Sequence, residues 1–150
     1  MKTEGHPLTQ QEFDSIYAKV PRLTVEIIVR NEAGELFLTK RSIEPCKGKW
    51  HLPGGTVRFG EPMVEAVKRI AARELGIEVT DSKNVGYIEY PSHYLNGLDS
   101  PVGVVFEVTA FEGALAINAE ASHSGWFARL PEGIHEDQDV FLVDNGYVQR

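Results

Sequence analysis

Residues 53–77 read PGGTVRFGEPMVEAVKRIAARELGI, and the order of features in this stretch decides how the rest is read. Pro53-Gly54-Gly55 predicts a tight turn where backbone atoms can approach a ligand, because glycine has no Cβ to obstruct it. Glu61 to Leu75 predicts the best helix in the chain, with Pro62 suited to its first turn and Gly76 supplying the stop. Met63, Val67, Ile70, Ala71 and Glu74 fall along one side at helical spacing. Glu74 is the anomaly, since a carboxylate on an otherwise apolar side is costly unless it is paired or binds a metal. Its neighbours one turn back, Ile70 and Ala71, carry no charge to neutralise it. A salt bridge to Arg41 or Arg58 and ligation of a metal ion both fit the sequence.

Working outward, Thr9 is placed to cap a short helix over residues 9–19, with Phe13, Ile16 and Tyr17 on one face and Pro21 ending it. Leu23–Arg30 reads as a strand, Asn31-Glu32-Ala33-Gly34 as a turn, and Glu35–Lys40 as the returning strand. A basic loop fills 42–49, and Trp50–Leu52 forms a short strand before the glycines. Beyond the long helix, Ile77–Val79 predicts an edge strand, and Asn84–Tyr90, Val102–Phe111 and Ser124–Arg129 predict further strands. The loop 91–101 separates two of them, and Val140–Tyr147 predicts a C-terminal helix. Strands interrupted by one long helix and flanked by others imply an α/β fold, a mixed β-sheet between helical layers. No repeat or linker divides the 150 residues, a length that suits one domain.

Charge supplies the first functional clue. Between Lys40 and Arg73 lie Lys40, Arg41, Lys47, Lys49, Arg58, Lys68, Arg69 and Arg73, against only Glu44, Glu61 and Glu65, in a chain whose net charge is −7. A local positive field in an acidic protein suits a small anionic ligand such as a phosphate ester; part of the cluster also reads as solvated i,i+4 pairs such as Glu65–Arg69. The acidic balance and lack of basic tracts argue against general nucleic-acid binding. The longest apolar runs, such as Ile27-Ile28-Val29, are strand-sized and argue against a membrane span. A single cysteine, Cys46, and an N-terminus without an apolar run fit a reducing, cytoplasmic setting. No pair of histidines has zinc-ligand spacing, so His51 and His135 read as structural, as do Trp50 and Trp126.

The opening stretch resembles the Nudix box, G-x5-E-x7-R-E-U-x-E-E-x-G-U with U aliphatic. Gly55, Glu61, Arg69, Glu74, Gly76 and Ile77 match in register, while Ile70 and Arg73 stand where the box has two further glutamates. The same reduction to one carboxylate occurs in the GDP-mannose mannosyl hydrolases. LTQQEFDSIYAKVPRLTVEIIVRNEAGELFLTKR, GKWHLPGG and VKRIAARELGI also resemble that branch, with similarity over most of residues 8–127. The resemblance implies a Nudix fold, one Mg²⁺ (with Mn²⁺ as a substitute), and cleavage of a nucleoside diphosphate sugar at the anomeric carbon. It implies metal ligands at the Gly54 carbonyl, Glu74 and Glu120, and a diphosphate contact at Arg41; Arg58, Glu26 and Tyr94 are further candidate substrate contacts, and Tyr94, like its neighbour His93, reads equally as a solvent-facing loop residue. The branch's catalytic histidine falls on Ala121 here, which leaves His123 as the substitute base or as an idle loop residue. Thr56 replaces an arginine that usually follows the glycines, a loss for which Arg58 is positioned to compensate. A homodimer exchanging the 9–19 helix is also implied. Phosphorus attack on a substrate such as ADP-ribose, and a non-catalytic nucleotide-binding module, are the competing readings.

Overall fold

The computed structural model describes residues 6–116 and 121–150. Helix α1 (Gln10–Tyr17) begins at Thr9 with a capping box: the Thr9 hydroxyl accepts the Glu12 N–H, and the Glu12 carboxylate accepts the Thr9 N–H. Of its predicted apolar face, Phe13 is buried but Ile16 is exposed.

Strand β1 (Arg22–Ile28) is the spine of a four-stranded sheet ordered β4-β1-β6-β5, with β4 Gly54–Thr56, β5 Glu78–Glu89 and β6 Pro101–Glu112. It runs parallel to β6 and antiparallel to β4, with Glu26 opposite Gly54. Val25, Ile27 and Val29 face helix α2 (Met63–Leu75) and meet Ala66, Val67, Ile70, Ala71 and Leu75. Ile28, pointing the other way, joins Leu36, Leu38, Leu52, Ile88, Tyr90 and Leu142 in a second core cluster. Burial on both faces explains why β1 lacks polar alternation. Glu26 is then the one carboxylate in a strand with no dry side to spare.

Strand β2 (Leu36–Arg41) corrects a natural expectation. It follows the turn at 31–34 but does not form a hairpin with β1; apart from an Arg30–Leu36 bridge and the Phe37 N–H donating to the Val29 carbonyl, it leaves for a second sheet. That sheet is antiparallel and ordered β3-β2-β7, with β3 Trp50–His51 and β7 Ala121–Phe127. The predicted strands at 77–79 and 84–90 are one continuous β5, whose register shifts against β6 break the period that sequence reading relies on. The 91–101 loop contains a short helix, α3 (Pro91–Tyr94). The last helix, α4 (Glu136–Asp144), starts four residues before its predicted onset because its first turn is polar, Glu136-Asp137-Gln138-Asp139, and His135 caps it. Helix α2 covers one side of the large sheet; α4 and the small sheet cover the other, giving the layered α/β arrangement that the sequence implies. Among the described residues, no helix is long and apolar enough to cross a membrane.

Candidate active site

The segment between β4 and α2 owes its shape to one ion pair. Arg69 donates Nε–H to Glu61 Oε2 at 2.7 Å, and one of its terminal nitrogens donates to Glu61 Oε1 and to the Thr56 carbonyl, both at 2.9 Å. The Arg58 N–H donates to Glu61 Oε1 at 3.1 Å. The Arg69 fork holds the Glu61 carboxyl below the usual carboxylate range, and the pair fastens the loop to the helix. Glu61 and Arg69 are therefore scaffolding, and their spacing in the motif reflects a span across one loop. Gly55 packs so tightly against Ile70 that a Cβ there would sit 2.9 Å from Ile70 Cδ1.

Two hollows meet at this turn and share Arg41, Gly54 and Gly55 as a common wall. The smaller one is lined by Arg58, Arg69, Arg73 and the half-buried Glu74 among others, so that with Arg41 four arginines and one carboxylate line it. The larger, about 100 Å³, is lined by Glu26, Cys46, His51, Tyr90, His93 and His135 among others, and it opens to solvent. Arg41 sits between them, its Nε–H held by the Pro45 carbonyl at 2.6 Å.

Glu26 occupies a slot made by two glycines. A Cβ on Gly54 would lie 2.2 Å from Glu26 Oε2, and one on Gly103 would lie 2.6 Å from Oε1. The Tyr90 hydroxyl donates to Oε1 at 2.8 Å and the Thr24 hydroxyl at 3.1 Å. Gln138 extends the network, donating Nε2–H to the Tyr90 oxygen at 2.9 Å and accepting the Leu52 N–H at 2.8 Å. Burial pushes the Glu26 carboxyl up to about 7 despite these bonds. Burial also raises Tyr90 well above its ordinary value, and it depresses His51 to about 4, keeping that ring neutral beside the Leu52 carbonyl.

Cys46, His93 and His135 come together at the same pocket. The sulfur lies 3.7 Å from Nε2 of each histidine, and the two Nε2 atoms are 3.3 Å apart. His93 Nδ1 faces Asp99 Oδ1 at 3.1 Å, and Asp99 accepts from Arg22 Nε at 2.7 Å. Burial would lower His93, but Asp99 and Cys46 outweigh it and raise the ring to about 9. Hydrogen bonds with His135 and His93 draw the Cys46 thiol down to about 6. Against burial, His93 and Arg22 hold Asp99 at about 2.

The structure gathers Arg41, Gly54, Glu26, Arg58 and Glu74 around the two hollows, and leaves two expected residues outside them. His123 is exposed on β7 opposite Lys40. It is not among the residues that line either hollow. Tyr94 is exposed on α3 and lines neither hollow; its neighbour His93 points inward instead. Glu120 lies outside the described residues. Sequence reading missed the Cys46–His93–His135 cluster altogether, since its members come from three separate elements. Glu26, expected as a substrate contact, does line the larger hollow.

Residues 20–142 match the NUDIX domain family. The low-salt glycan biosynthesis protein Agl8 of Haloferax volcanii is 35% identical over 139 residues, covering 90% of this chain and 88% of that protein. An ADP-ribose pyrophosphatase of Methanocaldococcus jannaschii is 29% identical over 107 residues, 71% of this chain and 62% of that protein. Among solved structures, a MutT NUDIX hydrolase from Burkholderia pseudomallei superposes with a TM-score of 0.73 at 29% identity, covering 81% of this chain and 95% of the other.

Proposed function

The chain belongs to the NUDIX family, and we propose that within it the protein is a metal-dependent hydrolase of nucleoside diphosphate sugars, releasing a nucleoside diphosphate and a free sugar. One observation carries this reading: a basic cleft holding Glu74 and a larger polar-tipped pocket share the wall Arg41–Gly54–Gly55. A diphosphate in the cleft leaves its attached group in the pocket. The glycan role in the name of the Haloferax relative supports a sugar there.

The donor set at the cleft fits a hard divalent cation. Glu74 and the Gly54 carbonyl offer oxygens only, the donor type such a cation would take. Glu120 is the third ligand by resemblance. A divalent cation held by these residues would supply Lewis-acid neutralisation of the departing diphosphate. Arg41 presents its guanidinium to the phosphates, with Pro45 fixing its orientation, and Arg58 adds charge from the other side. Glu26 takes the proton-accepting role in this reading. It abuts Gly54, its affinity for a proton matches neutral pH, and Tyr90 fixes its carboxylate. A homodimer belongs to the same reading, and light scattering that returns a monomer mass would remove it.

The second reading is phosphorus attack on a substrate such as ADP-ribose, favoured by the Methanocaldococcus relative's name. Hydrolysis of a nucleotide-sugar panel in ¹⁸O-enriched water separates the two. Label in the sugar supports carbon attack; label in phosphate replaces it with phosphorus attack. Glu74→Gln is expected to abolish metal-dependent turnover, and unchanged turnover would remove the assigned metal ligand.

A further inference from the structure

Cys46, His93 and His135 reach one point from loop 42–49, from α3 and from the start of α4. Their mutual distances have a simple geometric meaning. In a tetrahedral zinc site, with a metal–sulfur bond of about 2.3 Å and metal–nitrogen bonds of about 2.05 Å, neighbouring sulfur and nitrogen ligands sit roughly 3.6 Å apart and two nitrogens roughly 3.3 Å apart. Here the separations are 3.7, 3.7 and 3.3 Å. We propose that Cys46 Sγ, His93 Nε2 and His135 Nε2 form a second metal site, for a zinc-class divalent cation, with its fourth position open to the pocket.

The surroundings match what such a site requires. The Asp99 carboxylate faces His93 Nδ1, which keeps a proton on Nδ1, so that it is Nε2, directed at the cluster, that gives up its proton on ligation. Arg22 fixes Asp99 in turn. Both histidines are buried, and Cys46 holds a left-handed backbone, φ 67°, unusual for a residue with a side chain. A sulfur–nitrogen set selects zinc-class ions over magnesium, so this site is chemically separate from the oxygen donors at Glu74. His135 sets one cost. Its Nδ1 accepts the Asp137 N–H at 3.2 Å, which puts the ring proton on Nε2. Ligation moves that proton to Nδ1, releases the Asp137 N–H from its cap, and expels the remaining proton of the Cys46–His93 pair to solvent.

The consequence is a clamp. A metal here ties the loop that carries Pro45 and Cys46 to α3 and α4, and Pro45 is the residue that holds Arg41. The inference does not depend on which bond the enzyme cleaves.

The test uses the full chain, without a histidine tag and stripped by chelator, titrated with Co²⁺ as a spectroscopic probe. One equivalent is expected to give a thiolate-to-cobalt charge-transfer band and intense tetrahedral visible bands, displaced by Zn²⁺ and retained in excess Mg²⁺. Cys46→Ser should lose the charge-transfer band. Asp99→Asn, which keeps all three ligands, should weaken Co²⁺ binding by about 10–100-fold. Because Cys46 is the only cysteine, its alkylation in the unaltered protein gives an independent readout: one equivalent of Zn²⁺ should protect it and Mg²⁺ should not. A weak octahedral spectrum, a spectrum unchanged in Cys46→Ser, or alkylation indifferent to Zn²⁺ would each overturn the proposal.

Discussion

Replacing Arg69 with methionine removes the fork that fastens the glycine loop to α2 while keeping an unbranched apolar stem. Three hydrogen bonds go, two to Glu61 and one to the Thr56 carbonyl, and the Glu61 carboxylate loses its counter-charge. The side chains are 23% and 14% exposed, which places the pair between two regimes. Exposed pairs contribute about 0–1 kcal/mol, and breaking a fully buried one costs about 3–5 kcal/mol. A loss of about 2 kcal/mol is expected, or roughly 4–8 °C in Tm for a domain of this size. The effect has a pH signature. Glu61's carboxyl is held below its ordinary value in the folded chain, so the stabilisation is fully present above the unfolded value of about 4.3. It is lost as pH falls through the folded value. Thermal unfolding of both proteins should therefore show a full gap at neutral pH that narrows under acid conditions. A double-mutant cycle with Glu61→Gln should return a coupling of about 1–2 kcal/mol. A Tm within a degree or so of the parent, or a gap that ignores pH, would refute the view that this pair is the loop's fastening. Arg69→Lys should recover only part of the loss, because an ammonium cannot reproduce the two-pronged contact.

Tyr90→Phe deletes the hydroxyl between Glu26 and Gln138, leaving two buried groups short of a partner. A stability loss of about 1–3 kcal/mol is expected by denaturant titration, and a change below about 0.5 kcal/mol would show the network to be dispensable. Gly103→Ala drives a methyl into Glu26, whose carboxylate is fixed on the opposite side by Gly54. Both stability and turnover should fall, and a variant with unaltered kinetics would show that Glu26 can leave its slot without consequence. Glu26→Gln keeps the shape of the side chain but removes its ability to take a proton. A drop of about 10²–10⁴ in kcat with little change in KM is expected from steady-state assays, and a retained kcat would exclude Glu26 as the proton acceptor.

Local sequence determined a good deal of this protein. The box helix was legible because apolar spacing, an N-terminal proline and a C-terminal glycine agree, and Gly76 does adopt the left-handed conformation that the stop requires. The cap at Thr9, the paired glycines and the lone acid Glu74 were legible for the same reason: each signal lies within a few residues of what it specifies. Strand pairing was not. The turn at 31–34 looks like a hairpin, yet β2 joins β3 and β7, because which edge a strand meets is set by burial across the whole core. The surroundings of His123 were not legible either. Counting back from Trp126 locates a position along β7, but the pairing with β2, with its shift at Lys40/Arg41, sets where that position falls in the sheet. The deepest gap concerns Cys46, His93 and His135, separated by 47 and 42 residues and spaced like no known motif. Sequence fixes a ligand set only when its members share one helix, turn or loop. These three share nothing until α3 and α4 pack beside the basic loop, so only the tertiary structure brings them together.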